Sequence, residues 1–188
     1  MTSGTTDVRV QTWTPLEARH RLDDIMGVYR SAFLDVFERD PDRAARERRV
    51  HVGNHLARPD VAVLAALGPD DELVGVTYSV PGRPGNWWHD VVTDALPPAV
   101  AADWMSDVIE VVELHVLPPW QGTGTGRALL RGLLAASSAR TAALSALDDP
   151  TLPARHLYAA EGFRPLLEEF RFPGGDTRYA VLGKRLRP

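Results

Sequence analysis

Residues Gln121-Gly122-Thr123-Gly124-Thr125-Gly126-Arg127 set three alternating glycines between an apolar run, Val108 to Leu117, and a segment from Arg127 to Ser138 with helical spacing. Where a strand turns into a helix, the first backbone N–H groups of the helix have no internal partner and lie at the positive end of its dipole. Glycines at such a turn remove the side chains that would hold an anion away, and Arg127 adds a charged donor. The segment therefore reads either as an anion site or as a glycine-rich helix entry with no ligand. Spacing narrows the first alternative. A P-loop requires Gly-x-x-x-x-Gly-Lys-Ser/Thr, and here Gly126 is followed by Arg127 and Ala128. A dinucleotide fingerprint, Gly-x-Gly-x-x-Gly, would place its third glycine at Arg127 or at Leu129, and neither is glycine.

The turn needs a sheet and helices to hold it, and 188 residues suffice for one substantial domain, read here as spanning 1–188 with residues 1–7 flexible. Val8 to Trp13 reads as a first strand, and Thr14-Pro15 as the start of a helix running toward Phe37, with Leu22, Ile25, Met26, Tyr29, Phe33 and Phe37 on one face. Asp40-Pro41 opens a second helix to about Leu56. Val61 to Leu67 and Leu73 to Val80 form a hairpin around Gly-Pro-Asp-Asp-Glu. Residues 81–107 read as an insertion of one or two short helices after the third strand. Val108 to Leu117 is the clearest strand, closed by Pro118-Pro119. Thr141 to Leu147 reads as a strand, Leu152 to Glu161 as a helix, and Phe163 to Phe172 and Arg178 to Leu186 as strands. The sum is an α/β (α+β layered) domain on a mixed sheet.

Charge and composition remove other classes of partner. With 21 basic against 25 acidic side chains, the net charge of -4 offers no footprint for nucleic acid. No run of apolar residues is long enough to span a bilayer, and the opening Met-Thr-Ser-Gly-Thr-Thr lacks the pattern of a secretory signal, so a cytoplasmic location is expected. The basic stretch Arg43 to Arg49 reads as the solvated face of a helix. His51 and His55 have the spacing of a helical metal pair without the accompanying Glu, and no metal is expected.

The run Leu114-His115-Val116-Leu117-Pro118-Pro119-Trp120-Gln121-Gly122-Thr123-Gly124-Thr125-Gly126 resembles the pyrophosphate motif of the GNAT superfamily of acyl-CoA-dependent N-acyltransferases. Ala154-Arg155-His156-Leu157-Tyr158-Ala159-Ala160-Glu161-Gly162-Phe163 is similar to that superfamily's second signature. The resemblance implies a mostly antiparallel mixed sheet flanked by helices, with acetyl-CoA as acyl donor. It implies that the backbone of Leu114, His115 and Val116 holds the pantetheine arm. Gln121, Gly122, Thr123, Gly124, Thr125, Gly126, Arg127 and Ala128 would then hold the pyrophosphate. The activity implied is N-acetyl transfer to a small-molecule or peptide amine, and the alternative is a CoA-binding or sensing module without turnover.

Amine acetylation needs a neutral amine, stabilisation of the developing oxyanion and a proton for the leaving thiolate. With no cysteine in the chain, a thiol ping-pong route is closed and direct attack in a ternary complex remains. Tyr158 takes the motif's acid position, or is a packed helix aromatic. Glu110 and Glu113 are the candidate bases on an otherwise apolar strand, with Glu110 preferred, and each can instead be a salt-bridged structural residue. Three apart on a strand, they point to opposite faces. Two features depart from the superfamily's pattern: Thr151 stands where an Asn often precedes the tyrosine, and Asp148-Asp149-Pro150 forms an acidic loop. Candidates for the acceptor wall are Tyr29, Phe33, Phe37, Trp87, Trp88 and His89. Tyr29, Phe33 and Phe37, at helical spacing, read first as core, and Trp87-Trp88 as a pocket cap or a homodimer interface.

Overall fold

The computed structural model describes residues 8–34 and 40–187. Residues 1–7, expected to be flexible, and Phe37, expected in a helix and on the acceptor wall, lie outside them. The strands take the order β1-β2-β3-β4-β5-β7-β6 in a seven-stranded sheet. The chain divides into two compact units, residues 1–79 with 113–136 and residues 80–112 with 137–188. Strands β3 (Leu73–Gly82) and β4 (Val108–Val116) each contribute to both.

In the first unit, β1 (Arg9–Trp13) pairs antiparallel with β2 (Ala62–Leu67), and β2 with β3. Thr14 begins α1 (Pro15–His20) with a reciprocal cap. Its hydroxyl accepts from the Glu17 amide at 3.2 Å, and its own amide donates to the Glu17 carboxylate at 2.7 Å. The single helix expected toward Phe37 is broken at Arg21, which sits at φ -99°, ψ 19° between α1 and α2 (Leu22–Tyr29). Apolar periodicity continues across that residue, which is why spacing alone misses the break. A π-helical turn, Arg30–Leu34, then widens the last turn around Phe33. Helix α3 spans Pro41–Leu56.

Helix α6 (Thr125–Ala135) follows the glycine turn and buries Leu129, Leu130 and Leu133 completely. It packs so closely on β2 that a Cβ at Gly132 would stand 2.6 Å from the Leu64 side chain. A Cβ at Gly75 on β3 would likewise meet Leu129 at 3.0 Å and the His115 carbonyl at 3.2 Å.

In the second unit, two short helices, α4 (Trp87–Ala95) and α5 (Pro98–Trp104), fall between β3 and β4, parted at Pro97. β4 pairs in parallel with β5 (Thr141–Leu147) over Val108–Glu110 against Thr141–Ala143. β5 then pairs antiparallel with β7 (Tyr179–Arg185) along its whole length, and β7 with β6 (Arg164–Phe170). Helix α7 spans Pro153–Ala160. The core joins Trp88, Val92, Leu96, Trp104 and Met105 to Val108, Ala143 and Val181. The mixed, mostly antiparallel sheet flanked by helices is the fold class the sequence implies.

Candidate functional site

The glycine turn of the first unit is built to leave N–H groups open. Gly122 and Gly124 take φ +74° and +94°, and an added Cβ at either meets nothing within 4 Å. The conformation, not crowding, is what demands glycine there. Gly124 is the N-cap of α6 and supplies no side chain to satisfy the first amides. Side-chain hydrogen bonds hold the turn. The Gln121 side-chain amide donates to the Val116 carbonyl at 2.9 Å, and the Thr123 hydroxyl donates to the Trp120 carbonyl at 2.7 Å.

A second feature of the same unit lies on β4. Glu113 is buried at 7% exposure, and its Oε1 accepts from Nε of Arg48 on α3 at 2.6 Å, with a second contact from the other end of the guanidinium. Its Oε2 lies 2.6 Å from Nε2 of His115. Burial would raise the Glu113 carboxyl, but Arg48 and then His115 outweigh it and hold it at about 2. Arg48 is raised in turn, chiefly by the Glu113 charge. The Tyr29 ring meets the His115 imidazole edge-on at 4.8 Å, and Phe33 lies 5.9 Å from it. Behind this group, His55 Nδ1 is 3.2 Å from the buried Tyr78 hydroxyl. Burial lowers the His55 pKa, aided by Arg48 and Arg58.

In the second unit, Glu110 is 8% exposed on the part of β4 paired with β5. Tyr158 on α7 is 8% exposed and packs against Phe163 at 5.8 Å. Trp88, expected in a pocket or an interface, is instead part of the apolar core, with its indole N–H donated to Ser145 Oγ at 2.8 Å. His89 is also buried, its Nε2 3.1 Å from the Met105 carbonyl. Trp87 remains exposed, its ring 5.3 Å from that of Phe172 and tilted by 33°. The acidic loop has internal partners: Asp148 accepts from Arg155 at 3.0 Å and from the Glu169 amide at 2.6 Å, and Asp149 from Thr151.

An acetyltransferase (GNAT) family model matches residues 22–163. The chain belongs to this family. It is 36% identical over 121 residues to a GCN5-like protein acetyltransferase of Mycobacterium tuberculosis, in an alignment covering 61% of this chain and 59% of that protein. The chain thus spans under two thirds of that relative's length. Among solved structures, a GNAT-family acetyltransferase of Desulfovibrio desulfuricans superposes with TM-score 0.66 at 17% identity, covering 96% of this chain and 99% of that one. The PaiA N-acetyltransferase of Thermoplasma acidophilum, solved with coenzyme A, superposes with TM-score 0.65 at 13% identity, covering 95% and 99%.

In this GNAT-family chain the residue that sequence reasoning missed is Arg48. It falls within the stretch read as a solvated helix face, yet Arg48, Val52 and Leu56 recur every four residues, and the last two are fully buried. That stripe, with an acidic residue on an apolar strand in need of a partner, was the available signal. His115 was expected to act through its backbone alone, and its side chain proves to be part of the buried cluster.

Proposed function

We propose that the chain is an N-acetyltransferase that moves an acetyl group from acetyl-CoA to the amine of a small molecule or peptide, by direct attack in a ternary complex. The observation that carries this reading is the glycine turn, whose two left-handed residues leave the first amides of α6 uncapped. Such a turn suits a pyrophosphate. In this reading the amides from Gly122 to Arg127, with the Gln121 and Arg127 side chains beside them, take the pyrophosphate; the Ala128 amide, expected among them, donates to the Gly124 carbonyl at 3.0 Å. The backbone of Leu114, His115 and Val116 takes the pantetheine arm by strand addition, on the stretch of β4 that runs past the ladder ending at Glu110.

Tyr158 is assigned the proton of the departing thiolate, since a phenol with pKa about 10 suits that leaving group. Of the two carboxylates read as candidate bases, Glu113 is held in its ion pair with Arg48, and Glu110 remains the carboxylate to test. Tyr29, Phe33 and Trp87 are assigned to the acceptor wall, and Trp88 is not.

The test is free-thiol release from acetyl-CoA with spermidine, tryptamine and a lysine-containing peptide as acceptors. Turnover with at least one amine is expected. Tight acetyl-CoA binding with no thiol release for any of them would favour a binding module instead. Tyr158→Phe should lower turnover about 100-fold, the scale of a general acid, with acetyl-CoA affinity little changed.

A further inference from the structure

Glu113 and His115 are two apart on β4 and so share a face, the one that α2 and α3 cover with Tyr29 and Arg48. Glu113 is ionised and can only accept hydrogen bonds, so at 2.6 Å the proton of that contact belongs to His115 Nε2. A neutral His115 therefore carries its lone pair on Nδ1. Among the described residues Nδ1 makes no hydrogen bond, and the His115 side chain is 13% exposed. Arg48 fixes Glu113, Glu113 fixes the tautomer of the imidazole, and the imidazole presents one unused basic nitrogen beside two aromatic rings.

We infer that His115 is the group that takes the proton of the acceptor amine, oriented by Glu113 and held in that state by Arg48, in place of Glu110. The inference rests on the acetyltransferase reading above. An ammonium gives one proton to Nδ1, which passes it to solvent, and becomes the neutral nucleophile. As the C–N bond forms and the C–S bond breaks, the nitrogen sheds a second proton and the thiolate gains one. One proton is released for each acetyl group transferred. The groups around the imidazole agree with this role. Glu113 on its own strand accepts from Nε2, Tyr29 from α2 and Phe33 from the π-helical turn pack on the ring, and Arg48 from α3 is paired to Glu113.

The experiment compares the pH dependence of kcat/KM for wild type, His115→Gln and Glu110→Gln, using acetyl-CoA with whichever of spermidine, tryptamine and the lysine peptide the wild type turns over. His115→Gln should lose about 100-fold at neutral pH, keep its acetyl-CoA-induced rise in melting temperature, and recover at alkaline pH as the amine deprotonates itself. A wild-type rate in His115→Gln overturns the inference, as does a loss that alkaline pH does not restore. The tautomer is read separately on the wild-type protein from two-bond 1H–15N spectra. Protonation at Nε2 supports the inference and protonation at Nδ1 overturns it, even where a variant fails to fold. If the wild type turns over none of the three amines, the acetyltransferase reading is what suffers, and the tautomer still decides for or against His115.

Discussion

The two compact units place their arginines differently. The first sets one against a buried carboxylate: Glu113 is buried on β4 with Arg48 and His115 around it, and Tyr78 and His55 lie behind. The second also buries two carboxylates, Glu110 and Glu161, yet leaves Arg185 partly exposed. There the guanidiniums of Arg164 and Arg185 lie over the face of buried Trp104 at 4.8 and 4.7 Å, with Arg185 paired to Asp103. Desolvating an ion pair is expensive, and an apolar replacement of equal volume is often as stable. Cohesion alone therefore does not account for the buried pair of Glu113 and Arg48, and the role proposed for His115 gives that fixed charge a use.

The sharpest way to break that contrast is to remove one charge. Arg48→Met leaves Glu113 buried without its cation and should cost about 3–5 kcal/mol of stability in urea unfolding at pH 7. Adding Glu113→Leu should restore most of that loss while leaving activity low. Val92→Ala in the core of the second unit should cost about 2 kcal/mol, by lost burial and a cavity, with no such rescue. A double variant no more stable than Arg48→Met would show that the cluster holds the unit together for its own sake.

Acid sharpens the same comparison. The folded pKa of Glu113, about 2, lies below its ordinary value of 4.5, so its contribution is fully present above the unfolded value and is lost as pH falls through the folded one. Between about pH 5 and pH 2 the wild type should lose about 3 kcal/mol from this group. The loss should be absent from the Arg48→Met, Glu113→Leu protein and intact in Val92→Ala. Equal acid slopes in all three would remove Glu113 as its source.

What could be read ahead of the structure follows how local each determinant is. The order of strands and helices, the antiparallel pairings and the glycine turn rest on periodicity and on residues within a few positions of each other, and the observed elements follow them closely. Thr141 to Leu147 agrees to the residue. The break at Arg21 was hidden because apolar spacing continues through it. Arg48 meets Glu113 across 65 positions, and that pairing depends on how α3 docks on the sheet. The part of the candidate site assigned to the cofactor was legible because backbone conformation makes it. The part assigned to the acceptor was not, because it is assembled from side chains of α2, α3 and β4. Trp88 shows the reverse error: a paired tryptophan after a Gly/Pro loop suggested a surface role, and α4 turns that one ring into the core.

The glycine turn provides the smallest and most selective effect. Gly124 sits at φ +94° with open space where a Cβ would go, so Gly124→Ala meets no clash and its whole cost is the left-handed backbone, about 1 kcal/mol. That is well below the Arg48→Met loss and should carry no acid dependence, since no titrating group is involved. Its weight should fall on the ligand. A chain relaxing toward negative φ at the N-cap of α6 turns away the amides that face the proposed pyrophosphate. Acetyl-CoA affinity, measured calorimetrically, should drop about tenfold, the equivalent of 1.4 kcal/mol. The pH profile of whatever turnover remains should keep its shape. An unchanged affinity would separate the turn from the cofactor, and a changed profile would mean that turn and buried cluster are not independent. Binding lost without a change in proton transfer is the result that two separate parts of the first unit require.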